Sequence, residues 1–369
     1  MHNCSSNHRA NPLLFAALLP ACSLPWSTAE ERRPTYAEDV AYPEGGRMVV
    51  FTQAGLMLHD DELGRRERAL RLDLSAHGVL KDIPFSFALA ADGSVGAVAF
   101  SNTTERDVVV YDMSTLDELG VLDMETERGA PVQGLALDPT GARVFVRGDF
   151  WGMYDVATGE RLWGAEGPGA DCCGPQEMTF SRDGEVVFGF NQGQLEARQA
   201  QTGELIFSVE SGSTPGTQPS LARSGMDGVL VGTRSTISRG AAGRVEGFEQ
   251  AYVFWSERDG SVVREFPQFE ERAMAFTLPS GSAIACSPSG DSCASSVVVT
   301  DAMEGEAPEY SVALWSTDGE LLHELPTFAN GLSFSPDGEH LAIAGGPAEL
   351  YRVEDGTLVA AMNYSYSDF

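Results

Sequence analysis

Short apolar runs separated by turn-forming residues recur along the whole chain. Residues 341–344 are apolar and follow the segment Phe-Ser-Pro-Asp-Gly-Glu at 334–339, and the apolar residues 186–190 follow Phe-Ser-Arg-Asp-Gly-Glu at 180–185. Runs of this length bounded by Gly, Pro, Asp and Ser are typical of β-strands. Glycine accepts a positive φ at the tip of a tight hairpin, so each such segment is expected to join one strand to the next.

The same hairpin signal occurs seven times. Further copies lie at 42–46, 89–93, 137–141 and 278–281, with a degraded copy at 224–228. A second turn follows each copy at a steady distance, at 157–160, 201–204, 258–260, 317–320 and 354–356, with Leu63-Gly64 and Leu116-Asp117 in the equivalent places of the first two repeats. Each repeat therefore contains four strands.

The repeat length identifies the architecture. The glycines that mark the first turn, at 45, 93, 141, 184, 228, 281 and 338, are 43 to 57 residues apart. Four strands in a period of this length are typical of one blade of a β-propeller. We therefore predict an all-β fold, a seven-bladed β-propeller of four-stranded antiparallel blades over residues 37–369. The last repeat ends with a complete outer strand, so the first and seventh blades should meet without an exchanged strand.

The chain resembles the WD-repeat and YVTN-type β-propellers. Their repeats share the Phe-Ser-Pro-Asp-Gly turn and an aromatic-Asp or similar pair at the end of the third strand. The corresponding pairs here are His59-Asp60, Tyr111-Asp112, Tyr154-Asp155, Trp255-Ser256, Trp315-Ser316 and Tyr351-Arg352. The Gly-His dipeptide of true WD repeats is missing from every blade. The resemblance implies the fold and is compatible with many functions.

The first thirty residues resemble a secretory signal. An apolar run at 13–19 follows Arg9 and is too short to span a bilayer. Leu19, Ala21 and Cys22 resemble the bacterial lipobox, which implies that Cys22 is lipidated, although Pro20 departs from that pattern. The alternative is cleavage after Ala29. We predict a signal peptide at 1–21, a linker at 22–36, and a lipid-anchored protein of the bacterial periplasm or outer membrane, with soluble secretion as the alternative.

Charge excludes two classes of partner. The chain has 54 acidic and 24 basic residues, a net charge of −30, and Lys81 as its only lysine. Such a surface repels the phosphates of nucleic acid and offers no basic cluster to an anionic membrane. We expect no nucleic-acid partner and membrane contact only through a lipid anchor.

Export to an oxidising compartment would allow the cysteines to form disulfides. Four remain after removal or lipidation of the N-terminal pair: Cys172, Cys173, Cys286 and Cys293. Cys286 and Cys293 flank Ser-Pro-Ser-Gly-Asp-Ser, which can reverse the chain and bring them within bonding distance. Cys172 and Cys173 are adjacent, and they form either a vicinal disulfide or two free or separately paired thiols.

The candidate binding residues lie in the longest insertions. In a propeller the connections between strands 2 and 3 and those between blades share one face, and we place every elaboration there. The fifth repeat inserts 232–250, and the sixth inserts 287–309, including the predicted disulfide. The candidate residues are Asp171, Cys172, Cys173, Arg234, Arg239, Arg244, Asp301, Glu304 and Glu306. The arginines can receive a carboxylate or phosphate, or pair with nearby acidic loops. The alternative for all the insertions is that they are solvated and without function.

Catalytic and metal motifs are absent from the sequence. It contains no His-Glu-x-x-His, Cys-x-x-Cys or Gly-x-Ser-x-Gly, and the acidic residues of the sixth repeat lack the spacing of a calcium loop. We therefore expect no catalytic residue, metal or cofactor. The predicted function is a monomeric, non-enzymatic binding or scaffold module of the bacterial cell envelope, which presents its elaborated face to a protein or polymer partner. The alternative is a quinoprotein-like or lyase-type enzyme with its site on the same face.

Overall fold

Seven antiparallel four-stranded sheets follow one another along the chain in the computed structural model. The structure describes residues 34–44, 46–60, 65–72, 83–101, 107–123, 132, 134–148, 150–166, 178–214, 219–239, 245–267, 283–299, 309–365 and 368. Within these residues it contains thirty β-strands and no α-helix. The predicted seven-bladed propeller is confirmed.

The strands are assigned to blades in chain order. The first strand is β1 (Pro34–Thr35). Blade 1 contains β2 (Ala37–Ala41), β3 (Met48–Thr52), β4 (Gly55–His59) and β5 (Arg66–Arg71). Blade 2 contains β6 (Ile83–Leu89), β7 (Val95–Ser101), β8 (Asp107–Asp112) and β9 (Asp117–Asp123). Blade 3 contains β10 (Gly134–Leu137), β11 (Arg143–Arg147), β12 (Phe150–Asp155) and β13 (Arg161–Glu166). Blade 4 contains β14 (Met178–Phe180), β15 (Val186–Asn191), β16 (Gln194–Gln199) and β17 (Leu205–Glu210).

The second half of the ring has longer strands. Blade 5 contains β18 (Leu221–Arg223), β19 (Val229–Arg239), β20 (Val245–Ser256) and β21 (Val262–Pro267). Blade 6 contains β22 (Ile284–Cys286), β23 (Ser292–Val299), β24 (Glu309–Ser316) and β25 (Leu321–Leu325). Blade 7 contains β26 (Gly331–Phe334), β27 (His340–Ala344), β28 (Ala348–Arg352) and β29 (Leu358–Met362), and β30 (Tyr364–Ser365) follows it.

The ring closes between two complete blades. Each sheet is built from four consecutive strands, so no strand is exchanged between blades 1 and 7, as predicted. A shared apolar cluster joins the two blades and includes Met48 and Met57 of blade 1 with Ala342 and Leu350 of blade 7. The structure adds one feature that the sequence did not predict. β1, in the segment assigned to the linker, pairs with β30 and so connects the two ends of the propeller chain.

Apolar clusters between neighbouring blades form the core. The second and third strands are buried on both faces, as in β3 and β4, whereas the outer strand β5 is mostly exposed. Three fully buried tryptophans occupy successive interfaces: Trp151 between blades 3 and 4, Trp255 between blades 4 and 5, and Trp315 between blades 5 and 6. Burial of 150–250 Å² by a tryptophan contributes about 4–6 kcal/mol at 25 cal/mol per Å². A single blade exposes these surfaces, so the ring is the stable unit.

The turn glycines are confirmed in five blades by left-handed backbone conformations at Gly93, Gly141, Gly184, Gly228 and Gly338. In blade 1 the left-handed glycine of the turn is Gly46. The sixth marker, Gly281, is wrong. The turn between β22 and β23 spans residues 287–291, with Gly290 at φ 75°, whereas 278–281 lies outside the described residues. Pro-Ser-Gly occurs twice within this repeat, at 279–281 and 288–290, and the first copy gives more even spacings to the neighbouring turn glycines.

The residue pairs that end the third strand have a local role. In every blade the register between strands 3 and 4 shifts at this point, for example between Val110 and Tyr111. The second residue of the pair then supports the following turn. Asp112 Oδ1 accepts the backbone N–H of Ser114 at 2.8 Å, and Asp155 Oδ1 accepts that of Thr158 at 2.8 Å. The pair therefore stabilises a bulged hairpin.

Candidate binding site on the loop face

The two faces of the disc carry connections of different length. Because consecutive strands are antiparallel, the 1–2 and 3–4 connections lie at one end of each sheet, which we call the turn face. The 2–3 connections and those between blades lie at the other end, the loop face. Turn-face connections span four to six residues, whereas loop-face connections span two to 16. Binding loops are typically long segments held by a rigid scaffold, so the loop face is the candidate binding face.

Most of the binding and lipidation residues predicted from sequence lie outside the described residues. These are Cys22, Asp171, Cys172, Cys173, Arg244, Asp301, Glu304 and Glu306. Arg239 belongs to β19 by its backbone, and its side chain is not described. The structure describes the side chains of Arg234, Cys286 and Cys293.

The insertion of the fifth repeat is a β-ribbon. β19 and β20 pair from Val229–Ser256 to Arg239–Val245, with one register shift next to Arg239. They contain 11 and 12 residues, compared with six in each of β15 and β16. Five additional residues at 3.3 Å each extend the strand by about 17 Å. The ribbon is the longest described projection of the loop face.

Arg234 lies at the base of this ribbon and has an acidic partner. Its guanidinium is in close contact with the Glu265 carboxylate of β21, and 29% and 32% of the two side chains are exposed. The arginine stem lies over Gly212, where an added Cβ would be 2.6 Å from Arg234 Cδ. This arrangement corresponds to the second role considered for the arginines, an ion pair within the protein.

The disulfide lies on the turn face. Cys286 and Cys293 are bonded, with their Cα atoms 3.9 Å apart, and they are directly opposite each other in β22 and β23. Their hairpin is a 1–2 connection, so its placement on the elaborated face was wrong. The segment 287–309 comprises this turn, β23 and a separate 2–3 connection at 300–308. The disulfide therefore closes a hairpin at the opposite end of blade 6.

Acidic residues lie on the first strand of blade 1. First strands of neighbouring blades contact one another around the ring, which places them at its centre. Burial raises the pKa of Asp39 to about 7, and it also raises the pKa of Glu38. Glu38 accepts hydrogen bonds from the side-chain amides of Gln53 at 2.8 Å and Asn330 at 3.4 Å. These amides hold the Glu38 carboxylate in place near the first loop-face turn.

An arginine is buried between blades 3 and 4, with two of its nitrogens unpaired among the described residues. Arg147 is the last residue of β11, at the loop-face end of the strand, and only 1% of it is exposed. Its Nε and Nη1 have no hydrogen-bond partner within the part of the chain that the structure describes. Burial lowers the pKa of Arg147 to about 9. A buried cation is costly unless an anion or another acceptor meets it, and the described residues supply none to these two nitrogens.

A second unpaired donor lies beside Arg147. Trp151 is directly opposite Arg147 in β12, so the two side chains leave the sheet on the same side, toward blade 4. Trp151 is 1% exposed, and its Nε1 also lacks an acceptor among the described residues. The other side of the interface contributes Gly189, where an added Cβ would lie 3.5 Å from Trp151 Cη2. The indole is therefore fixed between the blades.

Blade 4 contributes polar groups to the same interface. Asn191, Glu196 and Arg198 lie on the side of the sheet that faces blade 3, as shown by their register with Gly189 and Val187. Glu196 accepts a hydrogen bond from Asn191 Nδ2 at 3.0 Å and pairs with Arg198 at 2.9 Å. The Arg198 guanidinium lies 5.6 Å from the ring centroid of Trp151. Asn191 Oδ1 has no partner in the described residues.

Two searches of the described residues gave negative results. No group of three or more His, Cys, Asp and Glu side chains is close enough there to hold a metal ion. Among the same residues, no helix is long and apolar enough to cross a membrane.

Sequence reasoning missed the cluster between blades 3 and 4. Arg147 follows the apolar residues Val144, Phe145 and Val146 and looks like the end of an ordinary strand. The available signal was its place in the repeat. Alignment of the blades puts Ala99 and Phe190 in the positions equivalent to Arg147, so a charged residue there is exceptional.

Comparison with known proteins supports the fold. No family model matches the chain, and no curated protein sequence matches it. A chain of the mitotic checkpoint complex is 14% identical, with a TM-score of 0.62 over 96% of this chain and 100% of that chain. Hydrazine synthase of Kuenenia stuttgartiensis is 13% identical, with a TM-score of 0.63 over 90% and 100%. The β-propeller domain of Cps50 (Swd1) from Myceliophteria thermophila is 13% identical, with a TM-score of 0.60 over 90% and 96%. These similarities show the fold of WD40-type β-propellers alone.

Proposed function

We propose that the protein is a non-enzymatic binding or scaffold module of the bacterial cell envelope. It presents the loop face of a rigid propeller to a protein or polymer partner. The observation that carries this proposal is the ribbon formed by β19 and β20, which extends the loop face by about 17 Å beyond the strand length of blade 4. The turn face has no connection longer than six residues.

The surroundings of the ribbon support this role. The disc is held by apolar clusters between blades, so a partner meets a preorganised surface and little ordering entropy is lost on binding. Of the similar structures, one is a chain of the mitotic checkpoint complex, which is a protein assembly, and another is the β-propeller domain of Cps50 (Swd1). Arg234 and Glu265 fix the base of the ribbon to the outer strand of its own blade.

The test shortens the ribbon and leaves the blade intact. Residues 236–249 are replaced by Asn-Gly, a two-residue hairpin turn, between the paired residues Ser235 and Gln250. The core residues Leu230 and Val253 and the Arg234–Glu265 pair are retained. The tagged full chain and the variant are used to capture proteins from envelope extract, which are identified by mass spectrometry. We expect the variant to lose the partner while its thermal stability changes little.

The control changes the turn face. Thr158 and Thr202 are exposed on 3–4 turns and are replaced by Ala. Gly203 is unsuitable as a control because an added Cβ would lie 2.6 Å from Trp163 Cδ2. The control should retain the partner. Partner binding that survives ribbon removal and is lost in the control would contradict the proposal.

The membrane anchor is tested separately. We propose that Cys22 is lipidated and holds the protein at the membrane, in the periplasm or outer membrane. Cys22→Ser should then move the protein from the membrane fraction to the soluble fraction. Unchanged partition, or a mature N-terminus at Glu30, would contradict lipidation of Cys22.

A further inference from the structure

The polar cluster between blades 3 and 4 has more donors than acceptors. Arg147 Nε and Nη1 and Trp151 Nε1 are unpaired within the described residues, although both side chains are 1% exposed. Nearly all buried polar groups in native proteins have partners, so an unpaired charged donor beside an unpaired neutral one indicates a missing acceptor.

Glu196, the carboxylate of this cluster, is already bound to other partners. Glu196 receives both Arg198 nitrogens, at 2.9 and 3.1 Å, and the Asn191 amide at 3.0 Å. Arg198 donates its remaining Nη1 to the carbonyl of Gly203 at 3.0 Å. The pair is therefore satisfied without Arg147. Arg147 and Arg198 have one carboxylate between them, that of Glu196, whereas Arg143 of the same interface has its own partner, Asp138. Among these described residues one positive charge is therefore unbalanced.

The balance of groups favours a carboxylate over a phosphate. A guanidinium edge matches the two oxygens of a carboxylate, and the indole N–H supplies one further donor. A doubly charged phosphate would lie near Glu196 in a chain of net charge −30. Asn191 Oδ1 is an unpaired acceptor in the described structure, so it can accept an N–H or O–H beside the carboxylate.

We propose that Arg147 and Trp151 bind a carboxylate of an external ligand at the loop face, between blades 3 and 4. The ligand also carries an N–H or O–H group next to that carboxylate, and Asn191 Oδ1 accepts a hydrogen bond from this group. The chemistry is shared by the terminal carboxylate of a peptide and by a small carboxylic acid. This inference rests on the proposed function, since it assigns the chemical group by which a partner is recognised.

The experiment observes the indole N–H of Trp151 directly. The full chain contains five tryptophans, and their ¹⁵N-labelled indoles give few enough ¹H–¹⁵N signals to assign with Trp151→Phe. Sodium acetate, N-acetyl-glycyl-glycine and the amide of the same peptide are titrated separately. We expect both carboxylates to shift the Trp151 signal and the amide to leave it unchanged. Tighter binding of the peptide acid identifies a chain terminus as the source, and equal binding identifies a small acid.

Two tryptophans provide internal controls. Trp163 Nε1 donates to the carbonyl of Ala200 at 2.7 Å, and Trp315 Nε1 donates to Ser295 Oγ at 3.2 Å. Their signals should not move. Sodium chloride at equal concentration separates carboxylate binding from a general response to anions, and an equal shift with chloride would mean an adventitious ion only and overturn the proposal.

Variants of Arg147 decide the assignment. Arg147→Met should weaken acetate binding by about 10- to 100-fold, as expected for loss of a charge-assisted hydrogen bond. Arg147→Lys keeps the charge without the planar fork and should show intermediate binding, which preserves the test if the Met variant does not fold. Arg143→Gln changes an arginine of the same strand that is paired with Asp138, and it should bind as the wild type does.

Three results would overturn the proposal. The first is the absence of any Trp151 shift with the carboxylates. The second is the same shift in Arg147→Met. The third is a shift that appears only in Asp171→Asn, since the chain's own carboxylate would then occupy the site. The titration needs no partner protein, so its failure leaves the test of the ribbon unaffected.

Discussion

Replacing Arg147 with Met should stabilise the protein in carboxylate-free buffer. Burial lowers the pKa of Arg147 from its ordinary value to about 9, which corresponds to about 5 kcal/mol at 1.36 kcal/mol for each pH unit. The charged form carries this cost at every pH below about 9, and the cost diminishes as the pH rises above that value. Methionine fills similar space without charge, and such replacements of buried ions gain about 1–4 kcal/mol. We expect a gain in that range at pH 7.

The assay is urea unfolding with and without acetate. At a ligand concentration one hundred times the wild-type Kd, binding stabilises the wild type by about 2.7 kcal/mol, whereas the variant, which binds about 10- to 100-fold more weakly, gains only about 0.4–1.4 kcal/mol. The matched control is Arg143→Met, because Arg143 pairs at 2.9 Å with the buried carboxylate of Asp138. Its loss should destabilise the protein by about 3–5 kcal/mol. Destabilisation of the Arg147 variant by a similar amount would show that this side chain is already paired, and the reasoning would be refuted.

Three other changes test particular features of the fold. Burial lowers the pKa of His59 to about 4, so the free energy of unfolding should fall by about 2 kcal/mol between pH 7 and pH 5. His59→Gln should flatten this part of the pH profile of urea unfolding. An unchanged profile would contradict a buried neutral imidazole. Cys286→Ser removes a disulfide between residues seven positions apart and should lower the free energy of chemical unfolding by about 2 kcal/mol. An unchanged free energy of unfolding would contradict the bond. Gly225→Ala of blade 5 places a Cβ 2.1 Å from the Ser287 carbonyl of blade 6. It should lower Tm by far more than Gly228→Ala, because Gly228 has a similar φ but open space around it. Equal effects would contradict the tight contact between blades 5 and 6.

The sequence predicted the ring because its turn chemistry is local. A glycine such as Gly184 is needed for a left-handed turn whatever surrounds it, and its spacing from Gly141 is visible in the sequence. The turn of blade 6 was misplaced because two Pro-Ser glycine segments compete and only strand pairing selects Gly290. Short local motifs therefore predict the number of blades better than their boundaries.

The candidate site was harder to predict because it depends on contacts between blades. Arg147 is the fifth residue of the second strand of its blade, and the other blades hold Thr52, Ala99, Phe190, Thr233, Ser296 and Ala344 at this position. The comparison shows an exceptional residue, but it does not show that partners are lacking. That fact comes from the packing of one blade against the next, which no single repeat specifies.

The central claim is that the protein binds its partner through the loop face, and site-specific photo-cross-linking tests it most directly. A photo-reactive phenylalanine derivative replaces either Thr236, on the β19–β20 ribbon, or Thr202, on the turn face. Each protein is illuminated in envelope extract, and the adducts are identified by mass spectrometry. The account predicts one specific adduct from position 236 and none from position 202. A specific adduct from position 202 and none from position 236 would contradict it.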